Sequence, residues 1–312
     1  MQKKQSKRLK EKNMIVNNKL GLPQAFIEAV SVDRHNKPCH YSATTLNKGI
    51  KEIVLTDRHW DELETDAAEN VWAIWGTAMH SVMEKQKDNN FREELFEVEV
   101  ETSRGTRVVS GRVDSYDMEN EILYDWKSAS TWKVIYKDFD DWKKQGLTYA
   151  WLMNQNGLNV KKCKFVAMLK DWSATEAKRK PDYPQMPVYV YEFEVTSADL
   201  LETSERIRGK VEQIVLAEQL KDDEIEPCTP EERWASAEQW AVKKVGTKKA
   251  IPGGVCNTLE DAQKLVEEKG GKGFEIEHRE PTSRKCVDYC ICKEKCSFYK
   301  SLHRETETGS VE

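Results

Sequence analysis

The chain has 312 residues, 33% of them charged and 38% hydrophobic, with a mean hydropathy of −0.75. That length can bury a substantial core, and that balance describes a heavily solvated globular protein with no stretch of transmembrane length. A formal net charge of −5 and a pI near 5.9 lack the basic excess usual in nucleic-acid binders, although a site that collects carboxylates lowers the net charge and leaves room for a local basic groove.

Residues 1–12 form a basic run with no apolar segment after it, which argues against a secretory signal and predicts a solvated, flexible tail over 1–20. A short helix is expected over 23–30, and a second is introduced by residues 41–46 and runs to about 55, with Ser42 or Thr44 as its cap. Residues 58–70 read as a polar loop with a helix start, and 71–87 as one helix on which His80 and Glu84 share a face. Three antiparallel strands follow over 94–101, 106–114 and 122–128, the first alternating Phe96, Val98 and Val100 with Glu97, Glu99 and Glu101. Then come a helix over 143–154, a strand over 164–170, a polar loop over 174–184 and a strand over 188–195. A long amphipathic helix over 198–220 carries Leu200, Ile207, Val211 and Ile214 on its stripe. Residues 227–280 read as a small α+β appendage: a hairpin of 240–244 and 248–255, a helix over 259–269 and a strand over 274–278. The expected organisation is thus a core over 21–226, the appendage, and a cysteine-rich tail over 281–312.

The residues that carry chemistry lie in the middle of this order. Asp125 and Lys127 are two apart on a strand, so their side chains share one face. Asp114 ends the preceding strand, and two carboxylates and one ammonium can then converge on one point. That set suits Mg²⁺ or Mn²⁺ beside a phosphate, the carboxylates holding the ion and the lysine orienting or deprotonating an attacking water.

Read in order, Gly76-x-x-x-His80, Asp114, Asp125-x-Lys127 and Gln145-x-x-x-Tyr149 resemble the PD-(D/E)xK nucleases, and among them the RecB-like exonucleases, which include CRISPR adaptation nucleases and phage relatives. The resemblance implies an α/β (α+β) fold with a restriction-endonuclease-like core, a mixed β-sheet flanked by helices. It implies that His80, Asp114, Asp125 and the Trp126 carbonyl hold the metal, that Lys127 positions the water, and that Gln145 and Tyr149 orient substrate. Glu84 either completes the metal site or pairs with Lys85 or Lys87 at the surface. The basic N-terminal run is either a frayed end or an arm that contacts DNA.

Eight cysteines without a signal peptide argue for a reducing compartment, where clustered thiols more often bind metal than form disulfides. Cys286, Cys290, Cys292 and Cys296 fall within eleven residues. Metal binding is the default reading of such a cluster, and thiolates select zinc or iron–sulfur. The resemblance implies one distant cysteine and three near the C-terminus, matching Cys286, Cys290 and Cys296. Cys228 is the choice for the fourth, with Cys39 or Cys292 as alternatives; Cys163 and Cys256 read as structural. The resemblance also favours a [4Fe-4S] cluster, with Zn²⁺ as the alternative.

The resemblance therefore implies a Mg²⁺- or Mn²⁺-dependent deoxyribonuclease, an exonuclease on single-stranded DNA ends. It would serve recombination or genome processing in a bacterial or phage-infected cytoplasm, with recombination or replication proteins as partners and no membrane. An endonuclease of the same fold is one alternative. A non-catalytic single-stranded nucleic-acid-binding module with a structural metal cluster is the other, its ten tryptophans supplying stacking platforms.

Overall fold

The computed structural model describes residues 14–30, 39–85 and 90–308, so the basic run expected to be a tail or an arm lies, up to residue 13, outside the described residues. Backbone contacts divide the chain into two compact units, Met1–Lys221 and Asp222–Glu312. The expected appendage and cysteine-rich tail thus fall together in the second unit.

The first unit begins with β1 (Ile15–Asn17), α1 (Gln24–Val30), β2 (His40–Ser42), α2 (Ile50–Arg58), β3 (Glu64–Asp66) and α3 (Val71–Glu84). Two early expectations are corrected here. Residues 15–17 do not belong to a flexible tail: β1 pairs in parallel with β3, with Met14 buried beside it. Nor does one helix run from residue 42 to 55. Thr44 holds the cap position of a single 3₁₀ turn, Thr45–Asn47, without a side-chain capping bond, while Ser42 Oγ accepts the Thr45 N–H at 3.1 Å; the α-helix starts afresh after extended Gly49.

The main sheet comes next: β4 (Phe91–Val100), β5 (Arg107–Asp117), β6 (Ile122–Ala129), α4 (Thr131–Ile135), α5 (Asp140–Gln155), β7 (Lys162–Leu169), α6 (Ala174–Arg179), β8 (Val188–Glu194) and α7 (Ser197–Ala217). Residues 174–179, expected as loop, are helical because Ser173 Oγ caps the Glu176 N–H and Glu176 pairs with Lys180 one turn on. The sheet is mixed and flanked by helices, in the order β2-β5-β6-β7-β8 with β4 also on β5. β4, β5 and β6 run antiparallel as read from the sequence, and β6 and β7 run parallel, joined by the α4–α5 crossover.

α5 seats closely on the sheet because two glycines leave room. A Cβ on Gly111 of β5 would lie 2.7 Å from Tyr149 and Leu152, and one on Gly146 of α5 would lie 2.9 Å from Phe165. Between the start of the helix and the sheet, Phe139 and Trp142 stack with Phe165, Tyr191 and Phe193 in an aromatic layer, and Trp151, Leu152 and Met153 are fully buried. α7 starts with a capping box of Thr196 and Asp199 and packs against α2 and α5. Among the described residues no helix is long and apolar enough to cross a membrane.

The second unit contains β9 (Ala235–Ser236), β10 (Gln239–Lys244), β11 (Ala250–Cys256), α8 (Leu259–Glu268), β12 (Phe274–Arg279), β13 (Thr282–Ser283), α9 (Arg284–Asp288) and α10 (Ser297–Thr308). β10 and β11 form the expected hairpin, and β12 lies on the other side of β10. β9 pairs with β13, which makes the tail and the appendage one folded body.

Candidate active site and the cysteine region

Asp114 sits where two ladders let go. β4 and β5 pair at Arg92↔Ser115 and again at Glu94↔Val113, skipping the Glu93–Asp114 position between them. β5 and β6 pair at Asp117↔Ile122, Tyr116↔Leu123 and Ser115↔Tyr124, and stop before Asp114 and Asp125 would face each other. The Asp114 carboxylate takes over part of the lost ladder, its Oδ2 accepting the Trp126 N–H at 2.7 Å. Side chains at one row of a sheet share a face, so Glu93, Asp114 and Asp125 are brought side by side where the backbones diverge.

Lys127 stands two residues on. Its Nζ lies 2.5 Å from Asp125 Oδ2 and donates to Gln145 Oε1 at 3.0 Å. Because an ammonium can only donate, the Gln145 amide oxygen must face it and the NH₂ must turn away. That NH₂ donates to the Tyr149 hydroxyl at 2.9 Å and points at Asp125 Oδ1 at 3.5 Å. Gln145 and Tyr149, one helical turn apart on α5, therefore close a chain of contacts that begins at Asp125.

His80 arrives from α3, with Nδ1 3.3 Å from Asp114 Oδ1 and 3.7 Å from Glu93 Oε1. Ligand atoms of His80, Glu93 and Asp114 all lie within 4.8 Å of one another. Glu93 is the residue that reading the sequence missed. Its backbone is left-handed, at φ 51°, at the interruption of the β4 ladder, and a glutamate in a run of alternating glutamates carries no local mark of that. Glu84, the candidate from the sequence, is exposed one turn beyond His80; the carboxylate that meets His80 and Asp114 is that of Glu93.

The electrostatics follow from this crowding. Asp125 is 2% exposed, and burial pushes its carboxyl up to about 6 against the pull of the Lys127 ammonium, with Asp114 pushing the same way as burial. Burial, then the Asp114 charge, raises Glu93. The hydrogen bond to Asp114 raises His80 against the effect of its own burial. Burial also holds the Tyr149 hydroxyl above its ordinary range, so it stays protonated. Carboxylates held so near one another repel when ionised, and hard oxygen donors with one imidazole are the donor set of a small divalent cation. His80, Glu93 and Asp114 offer ligand atoms close enough together for such an ion, and Asp125 lies beside them with its Oδ2 against the Lys127 ammonium.

In the second unit Arg233 organises the cysteines. Its guanidinium donates to the Cys228 carbonyl at 2.8 Å and to Ser283 Oγ at 2.7 Å, and lies 4.2 Å from the centre of the Phe298 ring; its carbonyl accepts the Lys285 N–H. One side chain thereby ties the Cys228 loop to the segments that carry Cys286 and Cys296. Cys290 and Cys292 bring their sulfurs to 3.5 Å, and Cys292 is buried. Cys163 is buried on β7 with its thiol toward the Gly146 carbonyl. Cys39 belongs to the first unit, where it lines a cavity of about 230 Å³ with His40, Tyr41, Arg58 and Glu218.

No protein-family model matches the chain, and no curated protein matches it. Solved structures similar to it include the protein designated SSO0001, at 15% identity and a TM-score of 0.41, covering 58% of this chain and 82% of that one. A phage related exonuclease from Haemophilus somnus 129PT is 13% identical with a TM-score of 0.35, covering 56% of this chain and 92% of that one. An alkaline exonuclease from Laribacter hongkongensis is 14% identical with a TM-score of 0.36, covering 57% of this chain and 89% of that one.

Proposed function

We propose that the first unit is a divalent-metal-dependent DNA nuclease of the RecB-like PD-(D/E)xK kind, acting as an exonuclease on single-stranded ends. The observation that carries this reading is the position of Lys127: its ammonium is held between Asp125 and Gln145, next to a row of three carboxylates. A protein that only bound nucleic acid would gain nothing from a lysine pinned among metal-binding carboxylates.

Asp114 and Asp125, with the Trp126 carbonyl, His80 and Glu93, would hold Mg²⁺ or Mn²⁺. When bound, such an ion supplies positive charge to the phosphoryl oxygens and to the leaving oxygen. The chain's own groups do the rest. Lys127 donates a hydrogen bond to the attacking water and offsets negative charge as the new P–O bond forms, the water's proton passing to solvent, and as the P–O bond to the leaving sugar breaks, its oxygen taking a proton from solvent. Gln145 fixes the rotamer of Lys127, and Tyr149, kept protonated by burial, holds Gln145 in place. In the second unit we assign Cys228, Cys286, Cys290 and Cys296 to a structural metal site, supported by the way Arg233 gathers the segments that bear three of these thiols; the choice of an iron–sulfur cluster over zinc rests on the resemblance alone. The same resemblance sets the activity in recombination or genome processing.

The test is degradation of end-labelled linear single-stranded DNA with Mg²⁺, with Mn²⁺ and with EDTA, beside a circle of the same sequence. Loss of the linear strand alone, in metal alone, is the expected result. Rapid cutting of the circle turns the reading to an endonuclease, and intact DNA under every condition overturns it.

A further inference from the structure

Beyond Lys127 the β6 strand ends at Ala129, and around that end several aromatic rings stand in solvent. Trp72 and Trp132 are each 57% exposed and Tyr136 is 72% exposed, although exposing a large apolar ring to water is unfavourable unless something covers it. Hydrogen bonds hold these rings in one neighbourhood. The Lys170 N–H donates to the Ala129 carbonyl at 3.0 Å, and the Lys170 ammonium lies 4.3 Å from the centre of the Trp72 ring. Asp171 accepts from Ser130 Oγ at 2.6 Å and from the Thr131 N–H at 2.7 Å, which fixes the start of α4. That start presents Trp132, stacked on Tyr136 with ring centres 5.6 Å apart.

Two features identify the occupant. Lys170 has no carboxylate partner among the described residues, so a bare cation sits over one ring of the patch. Flat apolar faces with an unneutralised ammonium match unpaired bases strung on a phosphate backbone, since every base has a face to stack and every linkage a charge. A protein partner would instead select against lone charges at the centre of its contact. Duplex DNA stacks its bases internally and offers no base faces to these rings. The patch is also continuous with the candidate active site: Ala129 is two residues, about 7 Å, along the strand from Lys127. It lies outside the carboxyl ends of the parallel β6 and β7, where open α/β sheets bind ligands.

We propose that Trp72 with Lys170, and Trp132 with Tyr136, form a base-stacking platform that holds the single-stranded segment adjoining the bond to be cut. The assignment rests on the nuclease reading only for where the strand leads; stacking itself does not need cleavage.

The experiment measures binding of fluorescently labelled oligo(dT) to the full-length protein in EDTA, where the strand stays intact. A strand of equal length with abasic sugars and a duplex serve as comparisons. Trp72→Ala and Trp132→Ala should each weaken oligo(dT) binding about 5- to 150-fold, the range of one lost base–aromatic stack. Trp72→Phe should retain most of the affinity, the abasic strand should bind weakly to every variant, and oligo(dT) should quench the wild-type tryptophan fluorescence more than that of either alanine variant. Undiminished oligo(dT) affinity in a Trp72→Ala/Trp132→Ala double variant that melts like wild type overturns the platform, as does an equal loss for the abasic strand. So does sedimentation showing a wild-type dimer that the double variant abolishes without loss of oligo(dT) affinity, which would make the patch a self-contact. Binding that depends on the rings in a protein that never cleaves keeps the platform and removes the nuclease reading; cleavage with ring-independent binding does the reverse.

Discussion

Lys127 and Gln145 face each other across the sheet–helix boundary, the ammonium of β6 donating to the amide oxygen of α5 at 3.0 Å. The contact gives the lysine a fixed direction, which a flexible four-carbon stem would not otherwise keep. Lys127→Ala and Asp125→Ala should each reduce cleavage of linear single-stranded DNA by about 10²-fold or more. Gln145→Leu, which removes the positioning contact and leaves the ammonium, should cost less. Circular dichroism of the three variants should match wild type. Near-normal turnover by Lys127→Ala would end the assignment.

Metal binding should distinguish Glu93 from Glu84. Calorimetric titration with Mn²⁺ should show Glu93→Gln and His80→Gln weakened by about tenfold or more, as loss of a ligand or its close support does. Glu84→Gln, exposed beyond the group, should titrate like wild type.

Protonation makes a separate prediction for the metal-free protein. His80 is raised from 6.5, so the stability it contributes is fully present below that value and fades as pH rises through its folded value. Asp125 is raised from 3.8 to about 6, so its folded form prefers the proton and loses stability as pH rises between those values. Both trends have the same sign. The melting temperature without metal should fall as pH rises from about 5 past the ordinary imidazole value of 6.5, and Mn²⁺ should restore most at the alkaline end, where it meets no competing proton. A melting temperature in EDTA that rises across this interval would contradict the assignment of these two groups.

Gly111 tests how α5 is seated. A methyl there meets Tyr149 and Leu152 at 2.7 Å, well inside contact distance. Gly111→Ala should cost about 1–3 kcal/mol in denaturant unfolding. It should also lower turnover through the displaced Tyr149–Gln145 pair, whereas substitution at open Gly209 should do neither.

The cysteine site has a visible signature. Anaerobic purification should give a brown protein with iron and sulfide, which Cys286→Ser and Cys228→Ser bleach; a colourless protein with one zinc would select the alternative. Absence of both metals in protein that still cleaves DNA and melts cooperatively would remove the site.

Much of the candidate site was legible because its residues announce themselves locally. Asp125 and Lys127 share a face by the two-residue period of a strand, and Gln145 and Tyr149 share one by the helical turn; the structure joins all four through contacts of 2.5 to 3.5 Å. The main strands and α5 were likewise set by their own patterning, within a few residues at each end. What the chain could not declare depends on pairing between distant segments. Glu93 joins His80 and Asp114 only because the β4 and β6 ladders both release β5 at Asp114, and nothing in the run Glu93-Glu94 distinguishes the residue at the break from its neighbour. Likewise Trp72 acquires its cation from Lys170, and the Cys228 loop its neighbours from Arg233, through contacts between segments far apart in sequence. Periodicity fixes which way a side chain leaves its own backbone; register, ladder ends and the partner it meets are decided by long-range packing.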